Sequence, residues 1–124
     1  MPGVPAFLLR RLYVKGSLRN TDNGWTFTLK NSLGSGYARG LLPLILDESN
    51  EIPMTLTSFE VDGEVITFDQ VDDSNTFGLK MNRSIEIRVA GEPLAEGAHK
   101  IEFRCIVPGL GQLGFDFTDE LSNG

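Results

Sequence analysis

Residues 57–68, Thr57-Ser58-Phe59-Glu60-Val61-Asp62-Gly63-Glu64-Val65-Ile66-Thr67-Phe68, decide how the chain is read. Two runs rich in aromatic and β-branched residues flank Asp62-Gly63. Such runs favour extended backbone. An Asp-Gly pair between them supplies the two positive-φ positions of a type I′ turn. The segment is therefore expected to be a β-hairpin.

The same grammar extends in both directions. Ser84-Ile85-Glu86-Ile87-Arg88-Val89 and Trp25-Thr26-Phe27-Thr28-Leu29 alternate apolar with polar, which gives a strand one buried face. That alternation assigns Trp25 to the core. Asn23-Gly24 reads as a tight turn, with Leu12 to Leu18 as the hairpin partner of the strand that follows. Tyr37 to Leu46 reads as one or two short strands interrupted at Pro43. Asp47 to Glu51 is a polar turn, Val71 to Asn75 an acidic loop, and Phe77 to Met81 an edge strand. Ile101 to Val107 and Leu113 to Thr118 complete the strands, separated by a Pro108-Gly109-Leu110-Gly111 turn. Val4 to Arg10 could close one helical turn. The result is about eight short antiparallel strands and no long amphipathic helix. The expected fold is all-β: a single β-sandwich, jelly-roll or immunoglobulin-like, over residues 1–124. Residues 1–11 are expected to be irregular or a short helix, and residues 119–124 a flexible tail.

Composition bounds the function. A chain of 124 residues with 40% hydrophobic residues holds one core. Eleven Lys and Arg against 17 Asp and Glu leave a net charge of −6, opposite in sign to what a phosphate backbone attracts. Nucleic acid is not an expected partner. No apolar run approaches the length of a membrane span, and the start of the chain carries its arginines after the apolar residues rather than before them. The single cysteine, Cys105, cannot form an internal disulfide, which fits a reducing cytoplasm.

Reactive residues are few. Cys105 lies on a strand-like run and reads as a small buried hydrophobe. The only histidine, His99, is six residues away, roughly 20 Å along a strand, so the two cannot pair as nucleophile and base. One His and one Cys cannot make a zinc site, and Asp69, Asp72 and Asp73 lack the spacing of a calcium loop. No metal or cofactor is expected in this chain. Gly109-Leu110-Gly111-Gln112-Leu113-Gly114 spells the G-x-G-x-x-G of dinucleotide sites, but a strand-like segment follows where a helix is needed. The better candidates are contacts with a partner or ligand. Tyr37, Arg39, Leu41, Leu42 and Leu44 combine an aromatic, a cation and apolar surface; Phe77 and Met81 do so beside Arg83; His99 is an eighth candidate.

From Tyr37 to Phe103 the order of features resembles the small β subunit of bacterial C-glycoside deglycosidases. The elements are Tyr37-x-Arg39-Gly40 with Pro43-Leu44, Ile52-Pro53, Phe59-x-Val61-x-Gly63 with Thr67, Phe77-Gly78, Ile85-x-Ile87, and Leu94-x-x-Gly97-x-His99-x-Ile101-Glu102. The resemblance implies a non-catalytic accessory subunit of a carbon–carbon lyase complex. Its partner would be a larger TIM-barrel α subunit that holds the divalent metal and the catalytic base. Self-association, a stand-alone binding module for carbohydrate or protein, and a small enzyme using His99 or a carboxylate pair are the other readings.

Overall fold

The structure is a computed structural model that describes residues 5–31, 36–79 and 83–121. Among the described residues the chain is mostly β, with 55% strand and one short helix, in several antiparallel sheets of which none closes. Helix α1 (Ala6–Leu9) runs into a 3-10 turn at Arg10–Leu12. Twelve strands follow among the described residues: β1 (Arg19–Thr21), β2 (Gly24–Lys30), β3 (Gly36–Ala38), β4 (Gly40–Leu41), β5 (Ile45–Leu46), β6 (Asn50–Glu51), β7 (Thr57–Val61), β8 (Glu64–Thr67), β9 (Phe77–Leu79), β10 (Ser84–Ala90), β11 (Ala98–Val107) and β12 (Gly111–Glu120). The expectation of about eight is low because the Tyr37 to Glu51 stretch breaks into four pieces of two or three residues.

The first sheet has the order β1-β2-β10-β7-β8. The β7–β8 hairpin pairs Val61 with Glu64, and Asp62 and Gly63 between them both have positive φ (51° and 85°). That is the type I′ turn expected of Asp-Gly. The β1–β2 hairpin differs from expectation. Its partner strand is Arg19–Thr21, and its two turn residues are Asp22 and Asn23. Gly24 already belongs to β2. A Cβ there would stand 1.8 Å from the Val89 carbonyl oxygen, so glycine is required by the close approach of β10. The expected partner, Leu12 to Leu18, forms no regular ladder with β2: its backbone meets that strand at Tyr13 opposite Leu29 and at the Val14 N–H on the Thr28 carbonyl. The chain then turns at Lys15-Gly16, and the Ser17 hydroxyl replaces a backbone acceptor by taking the Thr28 N–H at 3.0 Å.

The second sheet has the order β12-β11-β5-β6, with β4 also on β11. Pro43 separates β4 from β5 because it has no N–H for the ladder. Arg104 on β11 reaches across the gap and donates to the Pro43 carbonyl at 3.0 Å. Strands β3 and β9 form a separate ribbon. The long β11–β12 hairpin extends to Glu120, so Asp119 and Glu120, expected in a flexible tail, are paired with His99 and Ala98. Residues 122–124 of that tail lie outside the described residues.

The inward residues of both sheets meet in one aromatic core. Trp25 of β2 packs against Phe27 on the same strand, and Phe27 reaches Phe117 of β12, with the two rings 5.3 Å apart. The series continues through Phe115 and Phe103 to Phe68, and from there to Phe59 and Phe77. Of eight phenylalanines only Phe7 is exposed. Thr57, buried completely, donates its hydroxyl to the Pro53 carbonyl, so that hydroxyl is paired within the core.

Candidate functional site

The polar groups that converge do so at the open end of the β11–β12 hairpin, opposite its turn. Two carboxylates organise it. Asp47 sits at the head of the β5–β6 turn with a positive φ of 52°. Its Oδ1 accepts the Lys100 N–H at 3.1 Å, its own N–H donates to the Lys100 carbonyl at 2.7 Å, and its Oδ2 lies 2.9 Å from His99 Nδ1. His99 Nε2 lies 2.7 Å from the Ala95 carbonyl oxygen. The Ala95 carbonyl raises the pKa of the ring; burial opposes this, and the Asp47 bond and charge add to it. Asp47 is held below the ordinary carboxylate value, chiefly by its bond to His99.

Asp119 is the second carboxylate. Its Oδ2 accepts the Tyr13 hydroxyl and the Gly16 N–H, both at 2.7 Å, and its Oδ1 accepts the Glu120 N–H. Burial works against its charge, but these donors keep its pKa low. The Tyr13 phenol is pushed up to about 12 by burial and by the carboxylate it faces. Its ring stacks on Phe117 with centroids 3.6 Å apart. The N-terminal segment is thereby fixed to β12, where Arg10 also donates to the Asp116 carbonyl. Chemically these are clips: each donor and acceptor is spent on holding one segment to another.

The sequence candidates are dispersed. Leu41, Leu44 and Phe77 are buried in the chain's own core, at 5%, 0% and 6% exposure, so they are not available as contact surface. Leu41 and Phe77 face inward from β4 and β9, and Leu44 is buried in the connection between β4 and β5. Leu42 is half-buried, while Tyr37 and Arg39 are exposed. Met81 lies outside the described residues. His99 is engaged at both nitrogens. Burial pushes the Cys105 thiol up to about 11, away from the thiolate that a nucleophile needs. The G-x-G-x-x-G letters fall on the β11–β12 turn and the start of β12, so no helix N-terminus faces them. Among the described residues no group of three or more His, Cys, Asp or Glu is arranged to hold a metal ion, and no helix is long and apolar enough to cross a membrane. A cleft of about 190 Å³ beside the β7–β8 turn is lined by Glu60, Asp62, Arg83 and their neighbours.

The outer face of the first sheet carries an ion-pair ladder. Arg19 on β1 pairs with Glu86 on β10, Glu86 with Arg88, and Arg88 with Glu60 on β7. These pairs are exposed and contribute little stability. They mark that face as a polar one.

What sequence reasoning missed is the pairing of distant carboxylates with His99 and Tyr13. Asp47 is 52 residues from His99, and Asp119 is 106 residues from Tyr13. No local spacing signals either pair.

The family model described as hydroxymethylglutaryl-CoA reductase, N-terminal domain, matches residues 8–122. No curated protein matches the chain. The family match overturns the resemblance to C-glycoside deglycosidase β subunits, and with it the accessory role in a carbon–carbon lyase complex and the alternative of a stand-alone binding module. The physical reason is visible in the elements that carried the resemblance. Phe59-x-Val61-x-Gly63 is a type I′ hairpin, Ile85-x-Ile87 a half-buried strand, and Leu94-x-x-Gly97-x-His99 a loop entering a strand. Each is a solution to β-sheet geometry and carries no chemistry of its own.

Proposed function

The chain belongs to the hydroxymethylglutaryl-CoA reductase N-terminal domain family, and from that premise we propose that it is a non-catalytic β-sandwich domain supporting a reductase whose chemistry is done elsewhere. The two five-stranded sheets bring their apolar faces together over the Trp25-to-Phe77 aromatic series, which supports the sandwich reading. The catalytic module is the partner of this domain, on the same polypeptide or a separate one, and it holds the substrate and any cofactor. An unpaired cysteine supports a cytoplasmic location.

One observation carries the non-catalytic reading: the residues a reductase would need are committed to holding the fold. Both nitrogens of His99 are engaged, and the half-buried thiol of Cys105 has its pKa pushed up by burial. Reduction of a thioester of coenzyme A requires a bound hydride donor and a grip on phosphate groups. The glycine motif here is a hairpin, and the net charge is −6.

The test is a functional purification. The tagged protein recovered from its native host should bring down activity that reduces hydroxymethylglutaryl-CoA with a reduced nicotinamide as probe. The 124-residue chain purified alone should have none. An eluate without that activity, or turnover by the chain alone, overturns the proposal.

A further inference from the structure

The loop between β10 and β11 carries the chain from the first sheet to the second. Glycines with positive φ mark both its ends, Gly91 at 137° and Gly97 at 112°, and neither is crowded by surrounding atoms. Its first half is fastened to β1: the Asn20 side chain donates to the Leu94 carbonyl at 2.9 Å and accepts the Leu94 N–H at 2.8 Å. Its second half is held by His99 through the Ala95 carbonyl.

Both partners of the His99 ring are pure acceptors, a carboxylate oxygen at 2.9 Å and a carbonyl oxygen at 2.7 Å. A neutral imidazole has only one N–H. The two contacts together therefore require the imidazolium. The ring is also shielded, with 11% of its side-chain surface accessible. We propose that His99, Asp47 and the Ala95 carbonyl form a proton-operated clip that fastens the second half of the β10–β11 loop to the β5–β6 turn and frees the loop when the ring loses a proton.

Which contact fails follows from charge. A bond to a carboxylate is stronger than one to a neutral carbonyl. The neutral ring keeps its proton on Nδ1, facing Asp47, and turns a lone pair at Nε2 toward the Ala95 oxygen. The turn has its own fastening to Lys100, through the Asp47 N–H on the Lys100 carbonyl and the Lys100 N–H on Asp47 Oδ1, so it stays while the loop leaves. The other charged groups around the ring do not supply a substitute donor. Lys100 on the same strand pairs with Glu48 of the turn at 3.6 Å. Asp119, opposite His99 on β12, is occupied by Tyr13 and Gly16, and its neighbour Glu120 pairs in register with Ala98. Glu96 on the loop is exposed and can only accept.

The direction with pH is fixed. The folded pKa of His99 is raised, so the clip is fully closed below the ordinary histidine value of about 6.5 and opens as pH rises through the folded value. Asp47 sets the acid limit, because its pKa is lowered and its contribution is lost only as pH falls through that value.

His99 is the only histidine, so its ring proton signals are unambiguous in NMR. They should titrate above 6.5. Amide exchange at Ala95 to Ala98, corrected for its intrinsic pH dependence, should accelerate with the same midpoint, about tenfold for each unit by which the pKa is raised. Exchange at Leu46 to Glu48 should stay unchanged. Asp47→Asn should lower the His99 midpoint. His99→Gln should make loop exchange independent of pH, and the Asp47→Asn arm stands if that variant fails to fold. A midpoint at or below 6.5, loop exchange indifferent to the titration, or loosening of the turn in place of the loop overturns the proposal.

Discussion

Asp47 and Asp119 fasten the same open end of the β11–β12 hairpin, yet they answer to pH in different ranges. Asp47 is paired with an imidazole, whose proton is exchangeable near neutrality, and its side chain is half exposed. Asp119 is paired with a phenol pushed up to about 12, with that phenol stacked on Phe117 at the edge of the aromatic core. Similar carboxylates thus make a sensitive clip and an insensitive one, because the donor's own pKa and its burial decide the range. At the opposite end of the hairpin, β11 and β12 are joined covalently through Pro108-Gly109-Leu110. Side-chain clips are placed where the strand ends would otherwise be free to fray.

The comparison breaks most severely at Phe117. Phe117→Ala removes the ring under Tyr13 and its contact with Phe27, and should cost about 3–5 kcal/mol in urea unfolding. The buried Trp25, the only tryptophan, reports that unfolding by its fluorescence. If the two clips are independent, the His99 titration keeps its midpoint in this variant; a shifted midpoint would show that they are coupled through the β11–β12 ladder. A smaller loss is expected from Asp119→Ala, which strips the acceptor from the Tyr13 hydroxyl and the Gly16 N–H. It should cost about 1–3 kcal/mol, the same at pH 5 and pH 9. A cost that grew between those values would assign the neutral-range sensitivity to the wrong carboxylate.

The legible parts of the fold were those written in neighbouring residues. Asp62-Gly63 dictated its turn because both positive-φ positions are adjacent in sequence, and Ser84 to Val89 dictated its strand because alternation needs no distant partner. The Leu12 to Leu18 stretch was illegible for the opposite reason. Its apolar residues suggest a strand, but the Ser17 hydroxyl takes the place of a backbone acceptor and lets the chain turn early. Asp119 looked like tail because it is polar and near the end; its partners lie over a hundred residues away. Among the candidate contacts, Leu41, Leu44 and Phe77 could not be told from surface residues by type alone, since apolar residues fill cores and interfaces alike. His99 was picked out as a residue, but its role depends on Asp47 and Ala95, which only the folded chain brings to it.

The smallest effect is also the sharpest test of the contrast. Tyr13→Phe keeps the stacked ring and removes only the hydroxyl, so near pH 7 it should cost about 1 kcal/mol, the net worth of one hydrogen bond. A phenol whose pKa is raised on folding stabilises the native state fully below its unfolded value near 10, and that contribution is lost as pH climbs toward 12. The difference in stability between the parent and Tyr13→Phe should therefore stay level from pH 5 to pH 9. Above pH 10 it should shrink, and then reverse as phenolate faces carboxylate. Tyr37, the other tyrosine, is exposed and common to both proteins, so it cancels from the difference. The His99 clip changes within the level part of that curve and cancels in the same way. A difference that already falls between pH 6 and pH 8 would mean that the two clips share their protons, and the division of labour between Asp47 and Asp119 would have to be given up.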